Sequence, residues 1–267
     1  MPFQTIYTSG SGMLGMEKKL NTVANNLSNM ETTGFKKQRV NFEDLYYDNL
    51  RYPGSQDVAG EFTATGIAIG VGTRVTSVQS QFTQGTLTET ERPFDIAIFG
   101  EGFFRELDPF TNEVFYTRAG NFSLNEGGTL VAGSSHNGRL IDPQITIPLD
   151  ATAVQIDQAG RVWVIQGEGV ELQEIGRIQL TTFINPEGLL RMGENLFRET
   201  EASGAPNDVF PGENNVGQVR QKYLEMSNVA PVTELINMIT SQRAYEMNSK
   251  STQTGDQMLQ TVISIKR

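Results

Sequence analysis

Three constellations in this sequence have residue types and spacing that could do chemistry. The first is Gly10-Ser11-Gly12-Met13-Leu14-Gly15, a G-x-G-x-x-G run with Glu31 at about the distance of a ribose-binding acid. A dinucleotide site needs a buried apolar strand ahead of the glycines and a second strand ending at the acid. Phe3-Gln4-Thr5-Ile6-Tyr7-Thr8-Ser9 is only half apolar, and Asn25-Asn26-Leu27-Ser28-Asn29-Met30 does not read as a strand, so the nucleotide reading lacks its frame. The second is a pair of acidic clusters, Glu89, Glu91, Asp95 and Glu168, Glu171, Glu174. Two carboxylates could serve glycoside hydrolysis, but a solvated acidic face is the plainer reading and no pair can be assigned. The third is His136, the chain's single histidine, which reads as a surface-loop residue between Ser135 and Asn137. A histidine triad would have to use it, and no G-x-S-x-G elbow accompanies it. A site built on two histidines is out of reach of one chain. With no cysteine, disulfides, thiolate metal sites, iron–sulfur clusters and thiol nucleophiles are excluded. Arg118, Arg161, Arg177, Arg191 and Arg198 sit among many acids and suit ion pairs, within a chain or between chains. No catalytic, cofactor-binding or metal-binding residue is assigned, and the expectation is a protein that is not an enzyme.

What remains is organisation. The 267 residues carry 21 basic and 31 acidic groups, a net charge of −10, opposite in sign to the basic surface of a nucleic-acid binder. No run of 18 apolar residues is present, so no membrane insertion is expected. The first 25 residues lack a basic n-region and a continuous apolar stretch, so a cleaved signal peptide is not expected. Charge and glycine are unevenly spread. Residues 51–219 hold 10 basic groups, all arginine, against 22 acidic ones, together with 22 of the 27 glycines. The two ends are near neutral.

The ends read as helices. Ile6, Ser9, Met13, Met16, Leu20, Val23 and Leu27 are spaced by threes and fours, a heptad seam. Gly10, Gly12 and Gly15 weaken that helix by roughly 1 kcal/mol each relative to Ala, so it is expected to need a partner. The C-terminal helix is expected to begin near Pro231. Val232, Leu235, Ile236 and Ile239 form one apolar face, and Met258, Leu259, Val262, Ile263 and Ile265 another. Residues 248–257 between them contain no aliphatic residue. Such a segment packs on similar polar helices, lines a wet channel, or stays disordered until assembly.

The centre reads as β. Ile67–Val75 and Phe94–Ile98 are strand candidates, and a strand-turn-strand unit recurs. Phe122-Ser123-Leu124-Asn125-Glu126-Gly127-Gly128-Thr129-Leu130 matches Val154-Gln155-Ile156-Asp157-Gln158-Ala159-Gly160-Arg161-Val162, and Asn185-Pro186-Glu187-Gly188-Leu189-Leu190 repeats the turn half. The fold class expected is α+β: terminal helices pairing as a coiled coil, a central Gly-rich antiparallel β domain, and an extended arm. The divisions are residues 1–45, the arm 46–75, the β domain 76–220 and the C-terminal helix 221–267. Residues 203–217 read as a return loop.

The sequence resembles bacterial flagellar basal-body rod and hook proteins from end to end. Ala24-Asn25-Asn26-Leu27-Ser28-Asn29 followed by Thr33-Gly34-Phe35-Lys36-Lys37 resembles their N-terminal signature. Gly100-Glu101-Gly102-Phe103-Phe104 and Tyr116-Thr117-Arg118-Ala119-Gly120-Asn121-Phe122 match their next blocks, and Gln242-Arg243-Ala244-Tyr245-Glu246-Met247-Asn248-Ser249-Lys250 their C-terminal block. Phe42-Glu43-Asp44-Leu45-Tyr46 followed by Arg51-Tyr52-Pro53-Gly54 is closest to the arm of the distal rod members. Tyr52 between Arg51 and Pro53, and the form of Glu61–Gly66, depart from that pattern.

The resemblance implies a structural subunit of the distal rod, a helical tubular drive shaft that carries torque to the hook and forms part of the export channel. It implies packing between subunits at Met13, Met16, Leu20, Val23, Leu27, Leu235, Ile236, Ile239, Tyr245 and Leu259. Gly34 and Phe35 would mark the exit from the first helix. Phe42, Leu45 and Tyr46 resemble a short export-gate recognition pattern. Implied partners are copies of the chain itself, proximal rod proteins, the hook or hook-side junction, the surrounding rings and the type III export apparatus. The implied location is the rod spanning the periplasm, reached without a cleaved signal. The alternatives are another axial subunit, proximal rod or hook, and a secreted carboxylate-based carbohydrate-active enzyme.

Overall fold

The computed structural model describes residues 2–54, 56, 62, 64–132, 138–166, 172–213 and 216–265. The architecture is α+β, with two helices, α1 (Pro2–Ser28) and α2 (Pro231–Ile265), and antiparallel strands between them. The chain divides into two units. The first comprises residues 1–28, 38–80 and 230–267, the second residues 29–37 and 81–229.

The first unit holds both helices and four strands, β1 (Gln38–Asp44), β2 (Tyr47–Arg51), β3 (Ile67–Gly70) and β4 (Thr73–Ser80). β1 pairs with β4, and β2 with β3. The segment expected as an extended arm thus contains a paired ribbon, β2–β3. The expected single strand 67–75 is broken at Gly72, whose φ of 133° is open to glycine.

The helices run antiparallel. Asn26 near the end of α1 bonds Glu234 near the start of α2, and Ser9 Oγ lies 2.9 Å from Thr252 Oγ1. Along α2 the residues turned inward are Glu234, Ser241 and Gly255, with Asn248 half-buried among them. These four lie seven residues apart, so one stripe of the helix faces α1 throughout. It is a stripe of polar and small residues. That accounts for the aliphatic-free run 248–257, which packs on the similarly polar helix α1. Gly12 is buried where a Cβ would come within 2.9 Å of the Asn248 side chain, so the glycine that weakens α1 alone admits α2 to close range. The G-x-G-x-x-G run is therefore internal to a helix, without the strand ahead of it that a nucleotide site requires.

The second unit is β-rich. Its strands are β5 (Leu87–Glu89), β6 (Ile96–Phe99), β7 (Phe103–Leu107), β8 (Val114–Thr117), β9 (Phe122–Leu124), β10 (Leu130–Ala132), β11 (Leu140–Ile141), β12 (Ala151–Ile156), β13 (Arg161–Gln166), β14 (Leu172–Arg177), β15 (Leu180–Thr182), β16 (Leu190–Gly193), β17 (Leu196–Arg198), β18 (Asn207–Val209), β19 (Gln218–Gln221) and β20 (Tyr223–Glu225). Among the described residues the main sheet runs β16-β17-β8-β7-β11-β10-β9, with β15 joined to β7 and β18, and β12-β13-β14 form a separate sheet. Two of the repeated motifs are hairpins, as the turn chemistry expects. Leu124 pairs with Leu130 across Asn125–Thr129, and Ile156 with Val162 across Asp157–Arg161. The third motif is not a hairpin. Pro186–Gly188 forms a 3-10 turn, and β16 after it pairs with β17. The segment expected as a return loop contains β18.

The core gathers Ile96, Ile98, Phe104, Phe122, Leu130, Val162, Val164 and Leu180, all fully buried. Trp163 lies half-buried on the opposite face of β13, with the Arg161 guanidinium 5.8 Å from its ring centre. A second cluster of Phe103, Tyr116, Phe183 and Phe197 is built on edge-to-face ring contacts.

Candidate assembly surface

The N-terminal signature residues are occupied within their own units. In the first, the Asn26 side chain is buried and fully bonded. Its Nδ2 donates to Gln38 O at 2.8 Å and Glu234 Oε2 at 3.2 Å, and its Oδ1 accepts from Gln38 N at 2.9 Å. One amide thereby ties α1, β1 and α2. In the second unit, Lys36 and Glu225 form a fully buried ion pair at 2.6 Å. Lys36 Nζ also donates to Thr83 O, Glu225 Oε1 accepts from Gly85 N, and Arg118 Nη1 stands 3.7 Å from Glu225 Oε2. Burial, and then the neighbouring Arg118 charge, hold the Lys36 amine down at about 8 against the pull of Glu225. Phe35 is buried with the Arg191 guanidinium 5.3 Å from its ring centre, and Arg191 donates to Lys36 O.

Gly34 follows α1 at a φ of 70°, and a Cβ there would lie 2.6 Å from Ala119 N and 2.7 Å from Arg118 C. Both strain and clash oppose any side chain. Gly34→Ala is expected to cost about 2–4 kcal/mol, read as a lower urea midpoint at unchanged slope. An unchanged midpoint would contradict the packing of residues 29–37 on the β unit.

The C-terminal signature behaves differently. Gln242, Arg243, Tyr245 and Glu246 are exposed on α2 and Ala244 is half-buried. Val232, Leu235, Ile236 and Ile239 point outward, Ile236 and Ile239 at 56% and 57% exposure, about half a turn around the helix from the α1-facing stripe. Met258, Val262, Ile263 and Ile265 are exposed as well. On α1, Val23 is buried, and Met13, Met16, Leu20 and Leu27 are half-buried, as Leu259 is on α2. The residues named for packing thus divide. The α1 seam faces inward within the chain, while Leu235, Ile236, Ile239 and Tyr245 are left outward.

In the arm, Pro53 and Gly54 occupy an exposed turn next to the half-buried Arg51. Tyr46, Tyr47, Leu50, Tyr52 and Phe62 are exposed around it. A hydrogen bond to Asp44 and the charge of Asp44 raise the Tyr47 hydroxyl pKa. Phe42 packs its ring against Gly15 of α1, Leu45 N donates to Gly72 O, and Tyr46 is open to solvent. Of the acids considered for catalysis, Asp95 is buried and Glu89 exposed on β5, while His136, Glu168 and Glu171 lie outside the described residues.

Family models match in three places: flagella basal body rod protein at residues 6–36, flagellar hook protein FlgE/F/G D1 domain at 97–164, and flagellar basal body rod FlgEFG protein C-terminal at 220–265. The flagellar basal-body rod protein FlgG of Caulobacter vibrioides is 44% identical over 98% of this chain and 99% of its own length. Its counterpart of the same name in Bacillus subtilis is 37% identical over 99% of both. The chain belongs to the flagellar basal-body rod protein FlgG family. The C-terminal family match spans α2, the helix whose signature residues find least to do inside the chain.

The Lys36–Glu225–Arg118 cluster escaped the sequence reading. Lys36 and Arg118 stood in recognised blocks, but nothing local marks Glu225 as their partner. Its one local sign is position: an acid on a short strand ahead of Pro231.

Proposed function

We propose that this chain is a structural subunit of the distal rod of the flagellar basal body, polymerising into a helical tube that transmits torque to the hook and forms part of the export channel. The observation that carries the reading is the outward stripe of α2. A FlgG-family chain spends the polar face of its long helix on α1 and leaves Val232, Leu235, Ile236 and Ile239 unpartnered among the described residues. Non-closing contacts between identical subunits build a helical tube, and such a stripe is buried by a neighbour's helices. In this reading the two terminal helices form the coiled-coil inner layer with Met13, Met16, Leu20, Val23, Leu27, Leu235, Ile236, Ile239, Tyr245 and Leu259 at its contacts. The arm around Arg51, Pro53 and Gly54 adds contacts along the shaft. Proximal rod subunits, the hook-side junction and the encircling rings are its neighbours in the periplasm. Delivery is through the flagellar type III apparatus without a cleaved signal, with Phe42, Leu45 and Tyr46 as the recognised segment.

The test is electron microscopy of basal bodies from a strain lacking the chain. A short rod stub without outer rings or hook is expected. A complete rod lacking only the hook would move the subunit to the hook, and intact flagella would overturn an axial role.

A further inference from the structure

Helix α2 carries two separate apolar surfaces, one at each end. The first is the outward stripe at its start, Val232, Leu235, Ile236 and Ile239. The second lies past the reach of α1. The contacts of Asn26 with Glu234 and of Ser9 with Thr252 fix the register of the antiparallel pair and set Pro2 level with Met258 and Leu259. Beyond them no described residue of α1 stands opposite α2. The α1-facing stripe runs Glu234, Ser241, Asn248, Gly255, and the next position of that series is Val262. The stripe thus turns from polar and small to apolar at the point where α1 leaves off. Met258, Leu259 and Ile265 lie one turn from Val262, and Ile263 lies beside it. Gln257, Gln260, Thr261 and Ser264 occupy the other side of the helix. Ile263 and Ile265 are 65% and 79% exposed. A broad apolar arc on an amphipathic helix is a packing face, and here the polar helix α1 is not its partner.

Shape and charge narrow the occupant. The large apolar side chains exposed on α1 are Tyr7 and Leu14, about two turns apart and too sparse for a seam. The start of α2 offers four within about two turns. Neither surface of α2 presents a charged side chain, because Glu234 is turned inward to Asn26. The helix ends then decide between like and unlike pairing. Start against start brings together two N-termini with their partial positive charge, and end against end two partial negative C-termini. End against start joins opposite charges. A copy that receives a neighbour at one surface keeps the other open, so this contact repeats without closing. We propose that the end of α2 packs on the starting stripe of α2 in a second copy of this chain, with the two helices running in the same direction and Ile263 against Ile236. This contact rests on the rod-forming role proposed above, and adds to it which surface meets which.

The cysteine-free chain makes the contact measurable by disulfide trapping. In a chain carrying both Ile236→Cys and Ile263→Cys the two thiols lie about 40 Å apart along one helix, too far for a disulfide within a chain. Copper phenanthroline oxidation of purified hook–basal bodies from that strain is expected to give a ladder of dimers, trimers and longer multiples on a non-reducing gel. Mass spectrometry should find peptides joined between positions 236 and 263. Either substitution alone should leave the chain monomeric. So should Lys250→Cys with Ile263→Cys, because Lys250 is exposed on the same helix outside the stripe. Val232→Cys with Leu259→Cys, the equivalent pair one turn back, serves if the first pair blocks assembly. Dimers from either single variant would show like surfaces pairing and overturn the proposal. A chain present in the basal bodies without a ladder would overturn it too, since another subunit then covers the end of α2, and in both cases the axial role stands. Absence of the parent chain from basal bodies would overturn that role and the proposal together.

Discussion

Replacing Ile236 and Ile239 together by aspartate is expected to leave the isolated chain folded and to abolish its assembly into rod. Both side chains are more than half exposed in the single chain, on the face of α2 turned away from α1. Their exchange for a charged residue should therefore change the stability of the monomer by no more than about 1 kcal/mol. In a polymer the same positions lose water. Burying one isoleucine contributes about 1.5–3 kcal/mol, and burying an unpaired carboxylate in its place reverses the sign of that contribution. Each subunit repeats the defect, so the loss multiplies along the tube. The measurement is paired: urea denaturation of the purified chain, and motility with electron microscopy of the strain carrying the variant. An unfolded monomer would mean that the stripe serves the chain's own fold. A folded monomer that still builds rods would remove α2 from the subunit interface. Thr240→Asp, at an exposed polar position on the same helix, is the control and should assemble.

The features legible in the sequence were those specified by neighbours along the chain. Asn125 with Gly128 and Asp157 with Gly160 announce their hairpins because positive φ and side-chain-to-backbone bonds act over four residues. Pro231 announces the start of α2 for the same reason. The heptad seam of α1 was legible because a helix repeats its faces. The inward face of α2 was harder to read. Its apolar residues suggested the contact side, yet within the chain the contact is made by Glu234, Ser241, Asn248 and Gly255. A hydrophobic pattern reports which face ends up dry, and in a subunit that face can belong to another copy. Residues 29–37 read as the tail of the N-terminal segment because they follow it in sequence. Tertiary contacts with Arg118, Glu225 and Arg191 place them in the β unit instead. No local rule links Lys36 to a glutamate 189 residues away.

That long-range pair carries the second large effect. Glu225→Leu is expected to cost about 3–5 kcal/mol, because it strands Lys36 and Arg118 as two buried cations with no anion between them. Lys36→Met should cost clearly less. It removes one buried cation and leaves Glu225 facing Arg118, and methionine fills much of the lysine stem's volume. The order follows from Glu225 being the one carboxylate that both buried cations share, with Glu101 acting on Arg118 alone, and a role in packing alone would make the two substitutions nearly equal. Urea denaturation followed by the emission of Trp163, the chain's single tryptophan and a residue of the same unit, reads the difference. pH supplies an independent sign. The Lys36 amine sits at about 8 in the folded chain against 10.5 ordinarily. Between those values the unfolded chain holds the proton more tightly, so the Lys36 contribution to stability rises with pH across that window. Without Glu225 the amine is depressed further and the rise should begin at lower pH and be larger. Glu225→Leu should therefore regain part of its lost stability on moving from pH 7 towards 10, and Lys36→Met, with no amine to titrate, should show no such gain. Equal costs for the two variants, or a flat pH profile in Glu225→Leu, would remove charge imbalance as the reason this cluster holds residues 29–37 in the β unit.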